Sequence, residues 1–308
     1  MNVLKTLLFV STLATSIGCN AYAQDFLAGS AAYANGEFDA AIAEWQPLAE
    51  QGDMFAQVSI GAMFEEGKGV PQDYVEATRW YRLAAEQGYA LGQTSLGYMY
   101  TDGRGVPQDY AEAMRWYRLA AEQGDARAQN NLGSMYKHGH GVTQDFAASI
   151  HWYRLAAEQG HVRALFNLGS MYSDGLGTTQ DFAEAARWYR LAAERGDLLA
   201  QASLGLMYNM GRGVPQDFEE GAHWLQLAAE QGDIIAQQSL GRMYATGQGV
   251  PLDYVVAHMW FNLAAAGGDQ DAAALRGILT EGMPPAQIAE AQTLARECLA
   301  QDYKNCGR

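Results

Sequence analysis

The chain has 308 residues, 49% of them hydrophobic, and a formal net charge of −15 from 35 acidic and 20 basic side chains. Such a negative charge repels phosphate backbones and anionic lipid headgroups, so the composition argues against nucleic acid as a partner. Three cysteines are too few for a cysteine-rich disulfide framework.

The N-terminus has the pattern of a secretory signal peptide. An apolar stretch over 7–18 is too short to span a bilayer, and the A-x-A signature that ends at Ala23 is typical of a cleavage site. A lipoprotein site at Cys19 is the alternative. No later stretch is long and apolar enough to cross a membrane. We therefore predict a signal peptide over 1–23, cleavage after Ala23, and a periplasmic or secreted chain without membrane insertion.

A six-residue motif recurs along the chain at an unvarying step of 36 residues. A fixed period of this length indicates a repeat architecture and overrides the domain count that length alone suggests. The copies are GVPQDY from Gly69 and Gly105, GVTQDF from Gly141, GTTQDF from Gly177, GVPQDF from Gly213 and GVPLDY from Gly249.

One period, residues 105–140, contains two predicted helices. Asp109 with Glu112 three residues later has the pattern of a capping box, and the apolar residues that follow share one helical face. Gly124 is predicted to end this helix, and Asp125 to start a second, shorter helix as its N-cap. Neither helix can bury its apolar stripe alone, so the pairs are expected to stack, with the recurring motif joining one repeat to the next.

Two columns of residues indicate close packing between helices. Glycine recurs within the shorter helix, where it costs about 1 kcal/mol relative to alanine, and we attribute this to a closely approaching helix backbone. Tryptophan recurs at the core phase of each repeat, which favours packing over a sugar-binding groove. Trp45 is one place out of step in a degenerate first copy. The columns are Gly61, Gly97, Gly133, Gly169, Gly205 and Gly241, and Trp80, Trp116, Trp152, Trp188, Trp224 and Trp260.

These residues resemble the Sel-1-like repeat, a relative of the tetratricopeptide repeat. The pattern A-Q-x-x-L-G-x-M-Y-x-x-G-x-G-V-P-Q-D-Y, then A-x-x-W-Y-R-L-A-A-E-Q-G-D, covers about 53–268, and a weaker copy precedes it. With the period, the resemblance implies an all-α, right-handed superhelical solenoid of stacked antiparallel helix pairs. It places the repeat array over 24–268 and a C-terminal helical cap and tail over 269–308. It also implies protein–protein interaction rather than a reaction.

Two residues have the spacing of a serine-hydrolase motif. Ser134 and Lys137 spell S-x-x-K, and some exported, cysteine-rich relatives are described as penicillin-binding or β-lactamase-like. The same columns hold other residues in sister repeats, and no K-T-G or S-D-N companion is present. We therefore predict no enzyme; a hydrolase acting on cell-wall peptide or β-lactam is the alternative function.

Four histidines, His138, His140, His151 and His161, lie close together in the sequence. They fit either a zinc or pH-sensing site or variable surface positions. Because no cysteine or acidic motif at ligand spacing accompanies them, we predict no metal site, and no other motif indicates a cofactor.

Some positions of the second helix change from repeat to repeat and are expected to share one outward face. Apolar side chains on such a face cost solubility unless a partner covers them, and an ordinary solvated face is the alternative. We predict an exported, monomeric, non-enzymatic scaffold that binds a protein there. The partner-binding residues are Arg127, Asn130, Ser134, Arg163, Phe166, Leu199, Leu206, Met210, Ile235 and Arg242.

The last two cysteines, Cys298 and Cys306, remain after removal of the signal peptide. An even pair in an oxidising compartment predicts a disulfide, with two free thiols as the alternative.

Overall fold

The computed structural model describes residues 19–304 and residue 306, with side chains from residue 26 onward. Residues 1–18 of the predicted signal peptide lie outside the described residues, and 19–23 are described as helical backbone only.

The described residues form sixteen α-helices and no strand. In chain order they are α1 (Cys19–Ala34), α2 (Phe38–Glu50), α3 (Met54–Glu66), α4 (Tyr74–Glu86), α5 (Ala90–Asp102), α6 (Tyr110–Glu122), α7 (Ala126–His138), α8 (Phe146–Glu158), α9 (Val162–Asp174), α10 (Phe182–Ala193), α11 (Leu198–Met210), α12 (Phe218–Ala229), α13 (Ile234–Thr246), α14 (Tyr254–Ala266), α15 (Gln270–Gly282) and α16 (Pro285–Ala300).

The helices belong to two compact units. Unit 1 ends at Gln159 and contains α1 to α8, whereas unit 2 begins at Gly160 and contains α9 to α16. In both units, through α14, each odd-numbered helix packs against the even-numbered helix that follows it. We call these the first and second helix of a pair. The chain is therefore all-α and built from stacked helix pairs, as predicted.

The structure corrects the phase of the repeat. The GVPQDY motif lies inside a pair, between its first and second helix, whereas the sequence analysis placed the motif between repeats. The prediction of a shorter helix is also wrong, because α6 and α7 each have 13 residues. A periodic sequence gives no information on where one period starts, so only the packing could decide.

Helix ends follow the predicted signals with one difference. The Asp109 carboxylate accepts hydrogen bonds from the backbone N–H groups of Ala111 and Glu112, at 2.9 and 3.0 Å. Glu112 does not complete the capping box, because its carboxylate pairs with Arg115 at 2.9 Å. At the other end, Gly139 adopts a left-handed φ of 70°, which closes α7 before the connector.

The recurring glycine makes room for a side chain of the second helix. A Cβ built on Gly97 would lie 2.7 Å from ring atoms of Tyr117, and the other five positions give 2.5 to 2.8 Å to the equivalent side chain. A ring or a leucine lies nearest at each position, and the expected close approach of a helix backbone is seen as well at Gly61, Gly169 and Gly205, where a backbone oxygen lies 3.0 to 3.3 Å from the added Cβ. The pairs are Gly61–Tyr81, Gly97–Tyr117, Gly133–Tyr153, Gly169–Tyr189, Gly205–Leu225 and Gly241–Phe261.

Trp45 belongs to this aromatic column. It stands 36 residues before Tyr81, and its indole ring packs over Gly29 of α1. The indole N–H also donates to the carbonyl of Phe26 at 3.0 Å. Trp45 is thus in step with the tyrosines, and α1 and α2 form the degenerate first copy.

The tryptophan column packs in the core, with one exception. Five of its members are buried, from Trp260 at 0% exposure to Trp224 at 8%, whereas Trp152 is only half-buried. In three pairs the preceding arginine covers the ring; for Arg115 and Trp116 the guanidinium carbon lies 4.0 Å from the ring centroid. These arginines shield the outer edge of the column from water.

The C-terminal segment covers the last repeat. Both α15 and α16 pack against α14, and Cys298 and Cys306 are joined by a disulfide with their Cα atoms 5.2 Å apart. The backbone carbonyl of Cys306 accepts a hydrogen bond from Gln226 of α12 at 2.8 Å. The tail is therefore folded back onto unit 2.

Candidate protein-binding surface

Two exposed aliphatic side chains occupy the same place in neighbouring repeats of unit 2. Leu199 and Ile235 are each the second residue of a first helix, α11 or α13, and they are 51% and 58% exposed. The residues just before them face inward: Leu198 packs on the core of unit 2, and Ile234 lies against Gly267. The helix direction therefore turns Leu199 and Ile235 away from the core. We call this pair the unit 2 ridge.

The first helices of unit 2 carry few charged residues. The helices α9, α11 and α13 carry only Arg163, Asp174 and Arg242 as Lys, Arg, Asp or Glu residues, although the whole chain has a net charge of −15. Arg163 and Arg242 are exposed, and neither forms an ion pair with a residue that the structure describes. The carboxylates of Asp197 and Asp233 cap these helices two residues before Leu199 and Ile235, so the ridge is an apolar pair beside acidic helix caps.

The equivalent positions in unit 1 are covered. Leu91 of α5 is 5% exposed, and the ring of Phe55 in α3 lies 5.0 Å from that of Tyr89. Tyr89 stands where the other repeats have a capping residue, and its burial raises its pKa to about 12. Arg127 of α7 is half-buried and lies 3.7 Å from the carboxylate of Asp125. Unit 1 therefore has no exposed apolar ridge at this position within its described residues.

Three residues of the predicted stripe do not point outward as expected. Asn130 is buried at 5% exposure, and Ala202, at the same helix position in α11, is buried at 7%. Leu206 is half-buried and packs against the core of unit 2, and Phe166 is half-buried with its ring 5.5 Å from that of Tyr189. These side chains in the middle of their helices are covered by neighbouring residues, whereas Leu199, Ile235 and Met210 near the helix ends are exposed.

The stripe is also discontinuous along α11. Met210 is 60% exposed, but it follows Leu199 by eleven residues, which corresponds to about 16 Å along the helix axis. Met210 therefore lies at the far end of the helix and is separate from the unit 2 ridge.

Ser134 has a structural neighbour in unit 1. It is half-buried, and its hydroxyl hydrogen-bonds the phenol of Tyr153, whose burial raises the pKa of that phenol to about 12. Lys137 accepts a hydrogen bond through its backbone carbonyl from Gln144 at 2.8 Å. These contacts belong to the packing of α7, α8 and their connector.

The four histidines make ring contacts or cap a helix. His140 stacks on Tyr110 with ring centroids 4.7 Å apart, and its centroid lies 5.6 Å from that of His138. His151 lies edge-on to the neighbouring tryptophan, and His161 caps α9 by accepting a backbone N–H at its Nδ1. The described residues contain no group of three or more His, Cys, Asp or Glu arranged to hold a metal ion.

The outer face of the second helices has a shallow groove that the sequence analysis overlooked. In unit 1 a groove of about 290 Å³ is lined by Met114, Arg118 and Leu119 of α6 together with Gly141. Leu119 is 38% exposed and Leu83, one repeat earlier, is 36% exposed. Both belong to the WYRLAAE pattern shared by four repeats, in which the sequence analysis assigned no role to the leucine.

Among the residues that the structure describes, no helix has the length and apolar character needed to cross a membrane.

Comparison with known proteins identifies related chains. A family model described as Sel1 repeat matches residues 55–89, 90–125, 126–161, 162–197, 198–233 and 234–269. Each match runs from a first helix to the turn after its second helix, in agreement with the pairing in the structure. No curated protein matches the chain.

Two solved structures are similar in both sequence and fold. One is c5321, a protective antigen present in uropathogenic Escherichia coli strains that displays an SLR fold; it is 35% identical, with a TM-score of 0.79, over 96% of this chain. This chain spans only 64% of the length of c5321. The other is a Sel1 repeat protein from Oxalobacter formigenes, 33% identical with a TM-score of 0.69, over 78% of this chain and 96% of that one.

Proposed function

Because the chain belongs to the Sel1 repeat family, whose members are generally scaffolds for protein–protein interaction, we propose that it is a non-enzymatic scaffold that binds another protein through the unit 2 ridge. The observation that carries this proposal is the exposure of Leu199 and Ile235, at 51% and 58%, in one helix position of two successive repeats. A single exposed leucine is ordinary, whereas the same apolar exposure in adjacent repeats forms a patch that a partner can cover.

The experiment is site-specific photo-crosslinking followed by affinity measurement. A benzophenone amino acid at Leu199 should cross-link one protein in cells, whereas the same probe at Glu219, an exposed residue of α12 in the same unit, should not. With the captured partner purified, the double variant Leu199→Gln and Ile235→Gln should weaken binding by at least about tenfold, the loss expected from removing one apolar anchor.

Glutamine keeps the helix propensity close to that of leucine, and both side chains are more than half exposed, so the melting temperature should not change. A lower melting temperature with normal binding would show that these residues stabilise the fold instead. Equal cross-linking at Leu199 and Glu219 would remove the unit 2 ridge as the binding surface.

We also propose that the chain is exported, as an envelope regulator or a factor in contact with a host cell. Three observations support this: the A-x-A signature at Ala23, a cysteine pair joined at the C-terminus, and similarity to c5321, an antigen, since an antigen that protects is reachable by antibodies. N-terminal sequencing of protein from the periplasmic fraction should begin at Gln24. A mature chain that begins at a lipidated Cys19, or one that retains Met1 in the cytoplasm, would contradict cleavage after Ala23.

A further inference from the structure

The helix α15 stands where an eighth first helix would stand. Gly277 follows Gly241 by 36 residues and continues the glycine column for one more step. The expected second helix is missing beside it. From α3 to α14 a seven-residue connector such as 67–73 separates the two helices of a pair, whereas α15 and α16 are separated only by Met283 and Pro284. Helix α16 packs on α14 and is not the partner of α15.

The pair formed by α3 and α4 shows what a complete site of this kind holds. The ring of Tyr81 fills the space over Gly61, where an added Cβ would lie 2.8 Å from two ring carbons. The hydroxyl of Tyr81 donates a hydrogen bond to Oε2 of Glu65 at 2.7 Å, and Tyr81 is 0% exposed. Glycine and glutamate, four residues apart on one helix, thus receive the ring and the hydroxyl of a tyrosine.

Helix α15 has the same glycine and glutamate, but no described side chain fills the place that Tyr81 takes in the first case. Gly277 and Glu281 are also four residues apart, and they stand at the positions of Gly61 and Glu65 six periods later. Among the described residues, no atom of another element would lie within 4 Å of a Cβ on Gly277. Glu281 is exposed, and its carboxylate has no hydrogen-bond partner in the part of the chain that the structure describes.

The rest of α15 agrees with an uncovered helix face. Leu275 and Leu279 pack towards α14, next to Phe261, so one side of the helix is in contact with the array. Ile278, adjacent to Gly277, is 66% exposed, the highest fraction among the described large hydrophobic side chains.

The identity of the residue at the position of Glu281 indicates which ring fits. Glu65 and Thr101 stand at the position of Glu281 in earlier repeats. Each contacts the hydroxyl of the tyrosine on the second helix, at 2.7 Å for Glu65 and Tyr81 and 3.2 Å for Thr101 and Tyr117. Asn209 and Ala245 hold the same position opposite Leu225 and Phe261, which have no hydroxyl. The one other carboxylate of the column, Glu65, receives a tyrosine hydroxyl, so we assign a tyrosine to Glu281.

We propose that α15 is a docking site for an α-helix of a partner protein that presents a tyrosine to Gly277 and Glu281. The partner ring covers Gly277, and its hydroxyl donates to the Glu281 carboxylate. In α4 the tyrosine follows Ala77, which is 0% exposed and whose backbone carbonyl would lie 3.3 Å from a Cβ on Gly61, so a small residue at this position lets the two helices approach. The partner helix accordingly has the pattern A-x-x-x-Y. This surface is separate in residues from the unit 2 ridge, and neither proposal depends on the other.

The test uses the mature chain and a defined helical probe. The probe is a peptide with the sequence of residues 73–88, stapled on its solvent face, with helicity verified by circular dichroism; its matched control carries Tyr81→Phe. We expect saturable binding of the tyrosine peptide in fluorescence anisotropy. Loss of a hydrogen bond to a charged group should make the phenylalanine peptide about tenfold weaker.

Variants of the chain locate the site. Gly277→Leu should abolish binding without lowering the melting temperature, because the new side chain meets open space and leucine favours a helix over glycine. Glu281→Gln should weaken the tyrosine peptide and leave the phenylalanine peptide unchanged, which isolates the coupling between hydroxyl and carboxylate.

The double variant Leu199→Gln and Ile235→Gln should bind the peptide normally. Absence of binding by the helical probe would overturn the proposal. Peptide binding that is unchanged in Gly277→Leu would overturn the proposal as well. If the double variant Leu199→Gln and Ile235→Gln abolished that binding, the peptide would be assigned to the unit 2 ridge.

Discussion

Replacing Trp260 with alanine is expected to lower the free energy of unfolding of unit 2 by about 3 kcal/mol. The side chain is 0% exposed, and a buried tryptophan removes about 150–250 Å² from water, which corresponds to roughly 4–6 kcal/mol at 25 cal/mol/Å². Its indole N–H is buried without a hydrogen-bond partner among the described residues, which destabilises the native protein by about 1–3 kcal/mol. The substitution removes this unfavourable contribution together with the favourable burial. The expected loss therefore lies at the low end of the usual 3–5 kcal/mol for a large-to-small aromatic substitution.

Trp152→Ala is the matched comparison in unit 1. This residue occupies the same helix position, but it is only half-buried, so its loss should be roughly half as large as the usual value, about 1.5–2.5 kcal/mol. The repeat period predicts the same packing role for all six tryptophans of the column, and the difference between these two comes only from the structure.

Hydrogen exchange measured by mass spectrometry, together with urea unfolding, separates the two substitutions. Each repeat contacts mainly its neighbours, so protection should fall most in residues 234–269 for Trp260→Ala and in 126–161 for Trp152→Ala. Equal losses of stability in the two variants, or a uniform loss of protection along the whole chain, would refute the reasoning from burial and local contacts.

Three other measurements test particular contacts. Burial and then the charge of Arg276 lower the pKa of His258 below its ordinary 6.5, so the unfolded chain binds the proton more readily. The stability of unit 2 should therefore decrease as the pH falls through 6.5, and His258→Leu should flatten urea midpoints measured between pH 7 and pH 5. Cys298 and Cys306 should resist alkylation without reductant in periplasmic protein, and reduction should destabilise the tail by about 2–3 kcal/mol, the closure entropy of so short a loop; two alkylated thiols would contradict this. Gly97→Ala should lower the melting temperature, because overpacking of about 1–3 kcal/mol exceeds the gain in helix propensity of about 1 kcal/mol, and a rise would show that the neighbouring ring can move.

Local sequence signals were sufficient for the helices but not for their pairing. Asp109, Gly124 and Asp125 mark helix ends through backbone chemistry that involves only a few neighbouring residues, so these ends could be predicted. The pairing depends on which neighbour supplies the ring over Gly97, and that contact lies 20 residues away. A strict period is equally compatible with either neighbour. Trp45 was misassigned for the same reason, since only its contact with α1 shows which column it belongs to.

The candidate surface could be predicted only in part. Helical periodicity correctly placed Leu199 and Ile235 on an exposed face, because that face depends on the geometry of one helix. Asn130 and Leu206 share the same periodicity and are nevertheless covered, since burial in the middle of a helix depends on the distance to adjacent helices. The open face of α15 had no signal in its own residues; it becomes visible only when Gly277 and Glu281 are compared with Gly61 and Glu65.

The placement of each glycine and its ring within one repeat has a consequence for how the gene can change length. Gly97 and Tyr117 both lie in residues 90–125, so a tandem duplication of that coding segment copies both members together. The new segment arrives with its own packed pair and presents the same outer surfaces to both flanking copies. Unequal recombination at this boundary therefore yields a foldable product in one step, whereas a break between Gly97 and Tyr117 would separate them unless the inserted length were a whole period.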